Sequence, residues 1–136
     1  MRILVTGSRD WADEYAISTA IHEAWVGAGF PTQVTIVHGA CPTGADAIAG
    51  RVAARAGFTV EEHPANWSAG RSGGPARNKA MVALGADITL AFIGPCTSAR
   101  CKVRTPHNSH GATGCAKLAE TAGIPTRRTY PTEVTS

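Results

Sequence analysis

Arg77 and Asn78 follow a flexible stretch, Gly70-Arg71-Ser72-Gly73-Gly74, and a proline that opens a helical pattern through Met81 and Leu84. Proline suits the first helical position, where its missing N–H has no partner to lose. That spacing predicts Arg77 and Asn78 in the first turn, beside unpaired backbone N–H groups and the positive end of the helix dipole. An arginine there works against an isolated helix and is accounted for by an anion above it. The alternative is an exposed loop with a solvated arginine.

Three further turns carry related chemistry. In Gly7-Ser8-Arg9-Asp10-Trp11, the glycine lets backbone approach a ligand, Ser8 brings a hydroxyl and Arg9 a phosphate partner. Trp11 is read as a cover of the core in preference to a stacking platform. In His38-Gly39-Ala40-Cys41-Pro42-Thr43-Gly44-Ala45-Asp46, Gly39 and Gly44 frame a loop able to wrap a ligand. Asp46 falls in the first turn of the next helix, where it either compensates the dipole or holds a sugar hydroxyl. His38 is read as a structural junction residue. In Ser109-His110-Gly111-Ala112-Thr113, Gly111 brings backbone N–H groups to a helix start, and Ser109 is either a ligand contact or a plain cap.

The connection from Gly94 to His110 is long for a compact domain. It carries Cys96, Cys101, His107 and His110, a Cys-x4-Cys-x5-His-x2-His set with enough donors for one zinc ion. The spacing is loose and no Cys-x-x-Cys knuckle is present, so free reduced thiols are the preferred reading, ahead of zinc and of a disulfide. No metal and no cofactor is assigned.

The elements that must position these turns alternate. Strands are expected at 3–5, 34–37, Thr59–Glu62, 88–93 and Thr126–Thr129. Helices are expected from Ile17 to Gly27, over 45–56, from Pro75 to Gly85 and over 112–122. Strands alternating with helices imply parallel pairing and helices on both faces, an α/β Rossmann-like three-layer fold with a parallel sheet of about five strands. Its ligand site is expected outside the carboxyl ends of the strands, at the junctions 7–11, 38–46, 63–78 and 94–112. Neither the Gly-x-Gly-x-x-Gly fingerprint of dinucleotide folds nor a Gly-Lys-Ser/Thr phosphate loop occurs.

With 136 residues, 43% hydrophobic and 17% charged, the chain is expected to form a single domain over 1–136. A net charge of +3 without a basic stripe argues against duplex binding. Small basic clusters at Arg100, Lys102 and Arg104 and at Arg127-Arg128 read as solvated loops or ends. No apolar run reaches the length of a membrane span, and Met1–Gly7 turns polar too soon for a signal peptide, so a cytoplasmic address is expected.

In this order, Gly7-Ser8-Arg9, His38-Gly39 through Gly44-Ala45-Asp46, Gly74-Pro75-x-Arg77-Asn78-x-x-Met81 and Ser109-x-Gly111 resemble the SLOG superfamily. This Rossmann-like group includes the Lonely Guy phosphoribohydrolases and the DNA-processing DprA proteins, and the likeness is closest to its small bacterial and phage members. The resemblance implies a nucleotide or nucleotide-derived ligand held by Gly7, Ser8, Arg9, Gly39, Gly44, Asp46, Gly74, Arg77, Asn78, Ser109 and Gly111. The Lonely Guy enzymes end on Gly-Gly-x-Gly-Thr-x-x-Glu. Over that motif this chain has Asn108-Ser109 for the glycine pair, Gly111, Ala112 for the threonine and Cys115 for the glutamate. Cleaving a glycosidic bond calls for a carboxylate beside it, so binding as a sensor or sequestering module is expected before hydrolysis. Asp46 and Glu62 are the candidate replacements if the chain is an N-glycosidase acting on nucleoside monophosphates. DprA-like nucleic-acid binding ranks third. The partners expected are a nucleotide-like small molecule and a second copy of the chain, with no membrane and no nucleic acid.

Overall fold

A computed structural model describes residues 1–97, 101–103, 105 and 107–131, apart from the side chain of Arg71. Arg100 and Arg104 lie outside the described residues. Five strands form one sheet: β1 (Arg2–Gly7), β2 (Thr35–His38), β3 (Thr59–Glu62), β4 (Ile88–Phe92) and β5 (Thr126–Thr129). Their order is β3-β2-β1-β4-β5, and every pairing is parallel. The chain builds outward from β1 to β3, returns to the other side of β1 as β4, and continues to β5. The reversal therefore falls between β1 and β4, and so does the crevice where such sheets take their ligands.

Alternation along the strands divides the core. Ile3 and Val5 face α1 (Glu14–Gly27) and α2 (Gly44–Ala56), meeting Ile17, Ile21 and Ile48 together with Leu90 and Phe92. Leu4 and Val37 face the other way, with Met81 of α3 (Gly73–Ala83) and with Cys115 and Ala119 of α4 (His110–Thr121). Ala91 and Ile93 meet Ala112 and Ala116 on that same side. Central strands buried on both faces read as unbroken apolar runs, which is why β1 and β4 stand out in the sequence.

Local signals set the helix ends. Asp13 caps α1 by accepting from the Ala16 N–H at 3.1 Å, and Gly57 ends α2 at a φ of 76°. Three starts fall two or three residues ahead of expectation, the first being α1, which begins at Glu14 and not Ile17. Gly73, not Pro75, begins α3, after a 3₁₀ turn over Trp67–Ser72. Pro75 is then the third residue, still among the N–H positions that lack a partner, and Gly74 accepts the helical backbone that a bulkier residue before proline resists. Likewise α4 begins at His110, so Gly111 lies inside its first turn. Among the described residues no helix is long and apolar enough to cross a membrane.

Candidate functional site

The carboxyl ends of β1 and β4 are locked together around Ser8. Its N–H donates to the Phe92 carbonyl at 3.0 Å, its hydroxyl accepts from Gly94 N–H at 2.8 Å, and its carbonyl accepts from Trp11 and Ala45 N–H groups, each at 3.2 Å. Ser8 is buried, and each of these bonds serves the framework. The glycines beside it fit the same economy of space. A β-carbon on Gly7 would overlap Ala45 and the Phe92 carbonyl, and one on Gly44 would overlap the backbone of Ser8 and Arg9. Trp11 is buried against Phe92 with ring centroids 5.5 Å apart, so it covers the core.

Arg77 is the fifth residue of α3, two positions later than the sequence suggests, because the helix starts early. From there its Nη1 donates to the carbonyl of Gly39, a contact shorter than an ordinary hydrogen bond, and to that of His63 at 3.2 Å. Its Nε donates to Asn78 Oδ1 at 2.7 Å, and Asn78 is itself buried. The guanidinium thus ties α3 to the exits of β2 and β3, while Nη2 makes no hydrogen bond among the described residues. A β-carbon on Gly39 would fall where the guanidinium lies, so the side chain of Arg77 would have to shift to admit it.

Around that guanidinium stand three buried groups. Asp46 accepts from Cys41 N–H at 3.3 Å, and burial pushes its carboxyl pKa up against the lowering pull of Cys41, His38 and Arg77. Burial lowers the pKa of His38, outweighing Asp46 and Glu62, which favour its charged form. His38 Nδ1 accepts from Ala40 N–H at 2.9 Å, so the ring proton resides on Nε2, which lies 4.0 Å from Glu62 Oε1 and makes no hydrogen bond. Cys115 is fully buried at the position that the Lonely Guy motif gives to glutamate. Burial raises its thiol pKa, with Thr6 and Arg77 pulling it down and Asp46 pushing it further up. Asp46, Arg77 and Cys115, which sequence reading places at three separate junctions, therefore lie within electrostatic reach of one another.

A cavity of about 430 Å³ opens on the β3 side of α3 rather than at the β1–β4 crevice. Arg77, tied to the exits of β2 and β3, forms part of its wall, and Glu62, His63, Asn66, Ser72 and Gly73 complete much of the rest. Next to it Arg9 lies over the exposed ring of Trp67, with its guanidinium carbon 5.2 Å from the ring centroid. The same ring lies close to the place a Gly74 β-carbon would occupy, 3.3 Å away. Trp67, which carries the Arg9 guanidinium on its ring, is not among the residues singled out from the sequence. Its signal was an aromatic residue directly ahead of the glycine-rich stretch.

Ser109 and Gly111 stand at the start of α4. Ser109 N–H donates to the Gly94 carbonyl at 2.9 Å, which chains the α4 start through Gly94 to Ser8. No side-chain cap bond is made by Ser109, and open space surrounds the α-carbon of Gly111. No hydrogen bond among the described residues joins this turn to Arg77. The Cys and His side chains of the preceding connection come together, and hydrogen bonds from Val103 N–H first and then His110 lower the Cys101 thiol to about 7.

The family model that matches residues 1–70 is YAcAr, the YspA, cpYpsA-related SLOG family. The match runs from β1 into the 3₁₀ turn and stops before α3. The Gene 61 protein of Mycobacterium phage D29 is 37% identical over 135 residues, covering 91% of this chain and 92% of that protein. No solved structure matches the chain.

Proposed function

Since the chain belongs to the YspA, cpYpsA-related SLOG family, a nucleotide-related group of Rossmann-like domains, we propose that it binds a nucleotide or nucleotide-derived ligand as a sensor or sequestering module. The observation that carries this reading is the single guanidinium of Arg77, which belongs both to the carboxyl edge of the sheet and to the wall of the 430 Å³ cavity. That volume falls within the range of small-molecule sites, about 300–1,000 Å³. An arginine already braced on two carbonyls offers its remaining N–H groups to a phosphate with little further ordering cost. Arg9 on Trp67 supplies a second cation and a flat face for a base.

Calorimetric titration with nucleoside mono- and diphosphates tests this. Micromolar binding of at least one of them is expected, with affinity falling at least about tenfold in Arg9→Ala, roughly the worth of one charge-assisted contact. Arg9 is exposed, so that variant keeps the core intact. Flat titrations across the panel, or binding unchanged in both Arg9→Ala and Arg77→Ala, would overturn the reading.

One observation favours a second reading. Buried Asp46 bears electrostatically on Cys115, the position of the Lonely Guy glutamate, and its raised pKa suits a general acid. If Asp46 takes that role, the chain is a phosphoribohydrolase-type N-glycosidase. Nucleoside monophosphates incubated with the protein would then yield free base and ribose phosphate, and Asp46→Asn would abolish the release.

A further inference from the structure

The β4–α4 connection lies beyond the residues matched by the family model, and the nucleotide reading leaves its side chains unused. Cys96, Cys101, His107 and His110 each offer one donor atom, and every donor lies within 4.8 Å of the others. Cys101 Sγ is 3.3 Å from His107 Nε2 and 3.4 Å from His110 Nε2, and the two Nε2 atoms are 3.1 Å apart. A tetrahedron with Zn–S of about 2.3 Å and Zn–N of about 2.05 Å has S···N edges of about 3.5 Å and an N···N edge of about 3.3 Å. The three edges among Cys101, His107 and His110 lie close to those values, and the Cys96 sulfur lies within 4.8 Å of each of the three donors.

The protonation pattern points the same way. His107 Nδ1 lies 2.8 Å from the Thr105 carbonyl, which only an N–H can satisfy, and in the neutral ring Nε2 then presents a lone pair to the cluster. That lone pair faces the Cys101 sulfur and the His110 Nε2, the arrangement a shared cation would use. The Thr105 carbonyl is then the outer-shell acceptor that metal-ligating histidines characteristically carry, fixing the ring's tautomer and direction.

We propose that Cys96, Cys101, His107 and His110 bind one zinc ion as a tetrahedral Cys2His2 site. Two thiolates and two imidazoles suit zinc and disfavour magnesium, calcium and manganese, which prefer oxygen donors. Four protein ligands fill the coordination sphere and leave no place for a reactive water, so the ion is structural. It completes a clasp that the backbone already begins. Pro95 pairs with Asn108, Cys96 N–H donates to the His107 carbonyl at 2.7 Å, and His110 is the first residue of α4. A metal bond from Cys96 to His110 joins the exit of β4 to the start of α4.

Metal analysis of tag-free full-length protein, purified without chelator, is expected to find about one zinc per chain. The double variant Cys101→Ser/His107→Gln is expected to lose it, and Cys41→Ser, outside the cluster, to keep it. Cobalt(II) added to chelator-treated wild-type protein should give the intense visible bands of a tetrahedral ion together with thiolate charge transfer, a readout independent of the variants' folding. Less than about a tenth of an equivalent of zinc from zinc-supplemented growth would overturn the proposal. So would the weak spectrum of octahedral cobalt, or a Cys96–Cys101 disulfide in protein isolated under reducing conditions.

Discussion

The exits of β1 and β4 lie side by side at the carboxyl edge of the sheet, yet they are held in place by opposite means. At the exit of β1, position follows from missing side chains: Gly7 and Gly44 let the turn and the start of α2 approach until Ser8 bonds to both β4 and α2. At the exit of β4, position follows from what side chains bring, with four donors drawn together between β4 and α4. Steric complementarity of the first kind cannot be loosened without disturbing the core. A cluster of the second kind can be opened without touching it. One edge of a single sheet can thus combine a rigid wall with an independently held one.

The sharpest way to break that contrast is at the rigid wall. Gly44 has a φ of 71°, and a β-carbon there would overlap Ser8 and Arg9. Gly44→Ala is therefore expected to cost about 2–5 kcal/mol, combining left-handed strain with overpacking, measurable as a lowered denaturant midpoint. A loss below about 0.5 kcal/mol would mean that this corner yields as readily as an ordinary surface turn.

The second test opens the other wall. Chelation, or Cys101→Ser/His107→Gln, is expected to speed amide exchange over residues 107–112 by about tenfold or more while Ile3–Val5 keep their protection. Equal losses in both regions would show that the two exits are one cooperative unit. A third test concerns the clasp between them and the cavity. Arg77→Ala removes charged hydrogen bonds to two carbonyls and is expected to cost about 1.5–3 kcal/mol, read from the same midpoint.

A fourth, smaller effect separates the edge from the rest of the sheet. Arg2 pairs with both oxygens of Glu61 at 3.0 and 2.9 Å, and that pair, with His63, holds the Glu61 pKa down from 4.5 to about 2. Because the folded value is the lower one, this stabilisation is complete above pH 4.5 and is lost as pH falls towards 2. Both side chains are about a third exposed, so screening limits the loss to about 1 kcal/mol. Acid titration of stability in Glu61→Gln should lack that component. The smallest change is expected of Gly111→Ala, with open space around it and a helical setting, which should stabilise by about 0.5–1 kcal/mol.

The order of strands and helices is legible in the sequence because buried parallel strands are continuous apolar runs and glycines punctuate them. The site is legible only in part. Gly73-Gly74 reads as loop, so the start of α3 and the depth of Arg77 are displaced by a few residues. The turn over Trp67–Ser72 has no hydrophobic period, which hides the aromatic face beside Arg9. The Cys and His donors are visible as a spacing, but their convergence depends on the pairing of Pro95 with Asn108, for which neither residue is a signal.

The fit of Arg77 into the space beside Gly39 has a consequence for how this chain tolerates change. The two positions share one volume, so neither residue is free to vary alone: a methyl at 39 displaces the guanidinium, and a shorter side chain at 77 leaves a hole that the methyl would fill. Gly39→Ala and Arg77→Ala should accordingly be non-additive, the double variant losing less stability than the sum of the two, so that tolerance at position 39 is written at position 77.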